Sequence, residues 1–345
     1  MYMDDLFENG VGEMDVVFMR RALYLARCGE AGAAPNPMVG AVVVCDGRIV
    51  GEGFHRRCGG PHAEVNAIDA VGDRDLLPRC TLYVTLEPCS HWGKTPPCCD
   101  LIISSGLRRV VVGMSDPNPR VNGEGIRRMR EAGIEVVTGV LEEECRELNP
   151  YFLSSQLRHR PYVTLKWAQT SDGVIGVRGG RLRISSDFGM MLVHRLRTRC
   201  QAIMVGTDTA INDNPLLTAR LWEGRTPLRV TIDRRGRLPE GLAMLEGETV
   251  VYRGEILSEI LLDLHKRGVQ HLVVEGGAKL LQSFIDEGLW DRARVELSAR
   301  GSGLDLRGNG VVFAPVLKCA ELVESMDVDG SKLLILLNLA GSCGG

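Results

Sequence analysis

Apolar side chains recur at helical spacing through residues 14–28 (Met14, Val17, Phe18, Ala22, Leu25, Ala26), which predicts an opening amphipathic helix. Two apolar stretches, 40–45 and 49–54, then flank Asp46-Gly47, the signature of a tight β-hairpin. Residues 62–71 read as a helix, 81–86 as a strand, 98–105 as a helix, 109–113 as a strand, 124–132 as a helix and 134–138 as a strand. Strand and helix alternate, so a three-layer α/β/α domain is expected. A helical stretch over 142–158 leads into the basic connector Arg158-His159-Arg160-Pro161, where a domain boundary is predicted, giving domains 1–158 and 159–345. The second half alternates again. Strands are expected at 162–166, 202–205, 228–232, 249–252, 271–274, near 292–297 and at 332–338, with helices at 187–199, 256–267 and 278–287. This reads as a second α/β domain of ordinary size.

Composition narrows the partners. A length of 345 residues accommodates two substantial cores. A net charge of −3 and an aromatic content of 5% provide neither the basic face nor the stacking platform that nucleic acid requires. The expected partner is therefore a small molecule. Eleven scattered cysteines suit free thiols in a reducing cytoplasm, with two or three spent on a metal. Residues 1–8 are acidic and lack the apolar core of a signal peptide. No apolar run approaches the roughly 18 residues that span a bilayer. A cytoplasmic protein without a membrane role is expected, with a homo-oligomer as its assembly and a frayed tail at 341–345.

One constellation carries specific chemistry. Pro61-His62-Ala63-Glu64 is followed by Glu87-Pro88-Cys89 and by Pro97-Cys98. An imidazole and two thiolates from His62, Cys89 and Cys98 would bind Zn²⁺ and leave a fourth tetrahedral position for water. Glu64, two residues beyond His62, can reach that water without binding the metal. This is the H-x-E…P-C…C arrangement of zinc nucleobase deaminases. The two cysteines lie nine positions apart, so residues 90–97 loop out between them. His91 offers a fourth ligand for a closed structural site and Cys99 an alternative to Cys98; both readings stay open at this level.

Further strings extend the pattern: Pro35-Asn36-Pro37-Met38-Val39-Gly40, Ser90-His91, Gly93-Lys94-Thr95-Pro96-Pro97-Cys98 and Asp116-Pro117-Asn118-Pro119. Together with the zinc motif they resemble the bifunctional deaminase–reductase family of riboflavin biosynthesis, over essentially the whole chain. The long spacing between the cysteines separates this pattern from that of tRNA-editing deaminases. The resemblance implies a cytidine-deaminase-like first domain, His62, Cys89 and Cys98 as zinc ligands, and Glu64 as acid and base. Asn36, in the loop before the first strand, is a candidate partner for the base or ribose. The substrate implied is a diaminopyrimidinone ribosylamine phosphate, which loses its 2-amino group as ammonia.

The second half is similar to the family's reductase domain, of dihydrofolate-reductase-like fold. The matching strings include Leu165-Lys166-Trp167-Ala168, Gly206-Thr207-Asp208-Thr209, Asp213-Asn214-Pro215-Leu216-Leu217-Thr218-Ala219-Arg220 and Val274-Glu275-Gly276-Gly277. The resemblance implies that NADPH contacts Ala168, Thr209, Asp213 and the turn Gly277, Ala278, Lys279. It likewise implies that the phosphosugar contacts Lys166, Arg181, Arg197, Leu217, Arg220 and Glu275. Asp213 suits, by its sign, an iminium-like charge formed as hydride reaches C1′. A strand running into Gly276-Gly277 and then a helix presents bare amides to an anionic cofactor. Three segments depart from the family's usual pattern: residues 178–183, Asn214 in place of a second aspartate, and residues 298–303. They leave an alternative in which the second domain only binds nucleotide or supports oligomerisation.

Overall fold

The computed structural model describes residues 12–92, 96–118, 122–180 and 182–339. The chain divides into two compact units, with the break between Arg158 and His159.

The first unit runs α1 (Glu13–Arg27), β1 (Gly40–Cys45), β2 (Arg48–Phe54), α2 (Ala63–Asp69), β3 (Thr81–Leu86), α3 (Cys98–Ser104), β4 (Arg109–Met114), α4 (Glu124–Glu131), β5 (Glu135–Thr138), α5 (Glu142–Leu148) and α6 (Pro150–Arg158). Its five-stranded sheet has the order β2-β1-β3-β4-β5. β1 pairs antiparallel with β2 and β3, while β3, β4 and β5 are parallel. Every residue of β1 is buried, as a strand covered on both faces must be. Glycines let the helices approach. A Cβ on Gly40 would lie 2.0 Å from the Ala22 carbonyl of α1, and one on Gly53 would lie 2.4 Å from the Ala67 amide of α2. Gly53 pairs with Ala41, so the two glycines face opposite sides and the two helices flank the sheet. At one end of the sheet a buried Asp15 accepts two hydrogen bonds from Arg109, both at 2.9 Å, and one from the Tyr83 hydroxyl at 2.8 Å. Burial pushes the Asp15 carboxyl up, but these hydrogen bonds outweigh it and hold it below its ordinary value.

Two expectations need correction here. The helix expected from 62 starts at Ala63, and His62 is its extended N-cap. The helix expected across 142–158 is two helices, because Pro150 has no amide to donate and disfavours helical geometry at Asn149, whose φ is −123°.

The second unit continues with β6 (Tyr162–Gln169), β7 (Val174–Val177), α7 (Asp187–Thr198), β8 (Ala202–Gly206), α8 (Thr207–Asp213), β9 (Leu228–Ile232), β10 (Thr249–Tyr252), α9 (Leu257–Lys266), β11 (His271–Glu275), α10 (Ala278–Asp286), β12 (Arg292–Ser298), β13 (Val311–Phe313), β14 (Ala320–Val328) and β15 (Ser331–Asn338). The main sheet has the order β10-β9-β8-β11-β6-β12-β15-β14, and β13 pairs with β7. The six strands from β10 to β12 are parallel, and β15 and β14 add antiparallel at the edge. The core gathers Val163, Leu165, Val274, Phe284 and Trp290 around the central strands. Short β7 and β13, helix α8 and the exposed edge strand β14 have no counterpart in the sequence-based expectations. Arg181 and the tail at 341–345 lie outside the described residues. Among the described residues no helix is long and apolar enough to cross a membrane.

Candidate functional site

Three element ends converge in the first unit. His62 precedes α2, Cys89 lies in the turn after β3, and Cys98 is the first residue of α3. Their ligand atoms lie within 4.8 Å of one another, and among the described residues theirs is the one such group of three or more His, Cys, Asp or Glu side chains. His62 Nδ1 is 3.6 Å from Cys89 Sγ and 3.3 Å from Cys98 Sγ. Ligands at Zn–N and Zn–S distances of about 2.0 and 2.3 Å on a tetrahedron stand about 3.5 Å apart, so this donor set fits zinc. Cys99 turns to Asp100 at 3.7 Å, and neither it nor the exposed His91 joins the group. Contact with Cys98 and with the His62 imidazole brings the Cys89 thiol down to about 4. Cys98, beside that thiolate and buried, shifts the opposite way.

Glu64 sits in the first turn of α2 and is 3% exposed. Burial, with the Cys89 sulfur next, pushes its carboxyl up to about 7, suited to exchanging protons near neutrality. A cavity of about 430 Å³ opens over these groups and is lined also by Asn36, His55, Glu87, His91, Asp116, Asn118 and Phe152. That is ample for a small heterocycle. His55 Nδ1 lies 3.1 Å from the Pro61 carbonyl and therefore donates there; its Nε2 then accepts from the Asn36 amide nitrogen at 3.1 Å. The Asn36 oxygen is left as an acceptor. Burial pushes the Asp116 carboxyl up to about 6, with the Glu87 charge adding to the effect. The sequence reading named Asn36 but missed His55, Asp116 and Asn118 as cavity residues. The Asp116-Pro117-Asn118 string was the one visible signal of the latter two, and His55 had none.

In the second unit Arg197 of α7 meets Glu275 at the end of β11 with two hydrogen bonds, Nε to Oε1 at 3.2 Å and Nη2 to Oε2 at 2.8 Å. Its third nitrogen donates to the Thr218 carbonyl at 3.1 Å. Lys166 is in register with Glu275 on one side and Arg294 on the other. Burial pulls the Lys166 amine below its ordinary value. Burial pushes the Glu275 carboxyl up, but the Arg197 and Lys166 charges outweigh it and the net shift is down. Arg220 donates to the Thr218 hydroxyl at 3.3 Å and is otherwise exposed.

Thr209 packs against the Gly276-Gly277 turn: its side chain would stand 3.1 Å from a Cβ on either glycine. Both glycines have positive φ, and Ala278 and Lys279 open α10 immediately after. Leu217 is 1% exposed within the core, so its backbone is what can face a ligand. Ala168 lies on β6 in register with Glu296, and Asp213 ends α8, exposed. Glu296 is a buried acid the sequence reading missed; it accepts from Ser185 at 2.7 Å through one oxygen.

A riboflavin biosynthesis protein RibD from Aquifex aeolicus is 40% identical over 329 residues, covering 87% of this chain and 92% of that one. The chain belongs to the RibD family. This is the family of bifunctional deaminase–reductases in riboflavin biosynthesis. The RibD protein of Escherichia coli is 36% identical over 332 residues, covering 85% of this chain and 90% of that protein. A diaminohydroxyphosphoribosylaminopyrimidine deaminase/5-amino-6-(5-phosphoribosylamino)uracil reductase from Thermotoga maritima superposes with a TM-score of 0.81 at 39% identity, covering 94% of this chain and 99% of that one. Acinetobacter baumannii RibD gives 0.82 at 32% identity with the same coverage. The family described as the cytidine and deoxycytidylate deaminase zinc-binding region matches residues 13–114, and the RibD C-terminal domain matches 161–298. The first match spans His62, Glu64, Cys89 and Cys98. The expected RibD fold, a cytidine-deaminase-like domain followed by a dihydrofolate-reductase-like one, is the one found.

Proposed function

We propose that the unit ending at Arg158 deaminates a diaminopyrimidine ribosylamine phosphate at the centre held by His62, Cys89 and Cys98. The unit beginning at His159 then reduces the ribosyl group to ribityl with NADPH. The observation that carries the first step is the three-donor group beside a buried Glu64, opening on a cavity of heterocycle size. Bound there, Zn²⁺ supplies a Lewis acid that brings the loss of a water proton to neutral pH. Glu64, buried beside the three donors, would take that proton and deliver it to the departing amino group. Asn36, its amide oriented by His55, offers an acceptor oxygen to the base or ribose.

For the second step, NADPH bound in this unit would supply a hydride to C1′ of the ring-opened imine, with a solvent proton completing the amine at nitrogen. Thr209 and the Gly276-Gly277 turn suit the cofactor, and the amides at the start of α10 would hold its phosphates. Lys166, Arg197, Arg220 and Glu275 suit the phosphosugar, and Asp213 the developing positive charge. Ala168, Leu217 and Arg181 are assigned by the family resemblance. The protein acts in the cytoplasm as a homo-oligomer, without nucleic acid. Purified chain given substrate and NADPH should release ammonia and lose the near-ultraviolet absorbance of the reduced nicotinamide. Ammonia without that loss would reduce the second unit to a binding or assembly role.

A further inference from the structure

Glu87 ends β3's run into the Cys89 turn, and neither the metal group nor the proton transfer above uses it. Glu87 is 3% exposed, and among the described residues no ion pair meets its carboxylate. Four backbone amides do. Oε2 accepts from Asp116 at 3.1 Å and Gly123 at 2.9 Å, and Oε1 from Gly125 at 3.0 Å and Ile126 at 3.3 Å. A buried carboxylate with a filled set of donors is a rigid junction, because losing any one leaves a charge underpaired in low dielectric.

The junction joins two parts of the site. On one side, α4 grips the metal-ligand turn. A Cβ on Gly125 would lie 2.2 Å from the Pro88 carbonyl, so only glycine allows that approach. Arg128, one turn on, donates to the Ser90 carbonyl at 2.8 Å and pairs with Asp100 in the first turn of α3, where Cys98 sits. On the other side, Asp116 and Asn118 line the cavity, with the Asn118 amide closing on the Asp116 carboxylate at 2.8 Å.

We infer that Glu87 is a positioning residue for deamination: its carboxylate ties the segment bearing Asp116 and Asn118 to the Cys89 turn, setting that cavity wall at a constant distance from the metal group. This rests on the deaminase reading. Glutamine at 87 has one acceptor oxygen and presents an NH₂ to two of the four amides, so it can hold α4 or the Asp116 segment but not both. For Glu87→Gln, KM for deamination should rise about tenfold or more with kcat and zinc content close to wild type, as expected of a misplaced substrate wall. Unchanged KM in a folded, zinc-loaded variant overturns the inference, as does loss of zinc with KM unaltered. Hydrogen exchange on the wild-type chain gives a second reading if that variant does not fold. The amides of Asp116, Gly123 and Gly125 should exchange as slowly as those of β4, and fast exchange at Asp116 and Gly123 overturns the proposal. A wild-type chain that releases no ammonia would fail the deaminase reading itself, a result distinct from either.

Discussion

Replacing Glu275 by glutamine tests the polar centre of the second unit. The Glu275 and Arg197 side chains are 10% and 8% exposed, so neither charge is screened by bulk water. Glutamine keeps the volume and one acceptor but removes the countercharge of both Arg197 and Lys166. Stripping one partner from a buried pair costs about 3–5 kcal/mol, because the remaining charge stays desolvated. For a unit of this size each kcal/mol moves the midpoint by about 2–4 °C, so the reductase transition should fall by about 6–20 °C. Differential scanning calorimetry of the full chain reads this directly, with the deaminase transition as internal control. A fall of under about 2 °C would mean that the pair is effectively solvated and would refute the description of a dry ionic centre.

Two further outcomes follow from other buried groups. His271, wholly buried, is pulled down to about 4 by burial; its Nδ1 donates to the Arg199 carbonyl and its Nε2 accepts from Thr164. Because the folded value lies below the unfolded 6.5, stability is complete above pH 6.5 and declines toward pH 4. The decline amounts to about 3 kcal/mol, and urea titrations across that range should show it flattened in His271→Gln. Gly53→Ala forces a Cβ to 2.4–2.5 Å from backbone atoms of α2, the helix that follows His62 and carries Glu64. It should cost about 2–3 kcal/mol and loosen zinc binding in a metal-competition titration; an unaltered zinc affinity would separate the packing of α2 from the metal site.

Much of the site is legible in the sequence because its ligands stand at element ends, next to prolines that mark those ends. His62, Cys89 and Cys98 each follow a proline directly, and Glu64 follows within the same helical turn. What supports them is not legible. Glu87 finds its four amides 29 to 39 residues away, and His55 meets Asn36 across 19. No local pattern announces such pairings. β12 is illegible in another way: alternating Arg292, Arg294 and Glu296 give no sequence sign of burial, yet Arg294 and Glu296 are buried. The break at Asn149-Pro150 was available from the proline alone. Asn149 also exchanges two hydrogen bonds, both 2.8 Å, with the backbone of Met38, close to Asn36, so the break has a structural use.

The most direct test of the account is Glu64→Gln in the full chain, with zinc content and ammonia release measured on the same preparation. The chain should keep one zinc, held by His62, Cys89 and Cys98, and should release no ammonia from the substrate. Continued ammonia release at the wild-type rate from that zinc-loaded variant would contradict the assignment of Glu64 as the proton carrier and, with it, the mechanism built on this site.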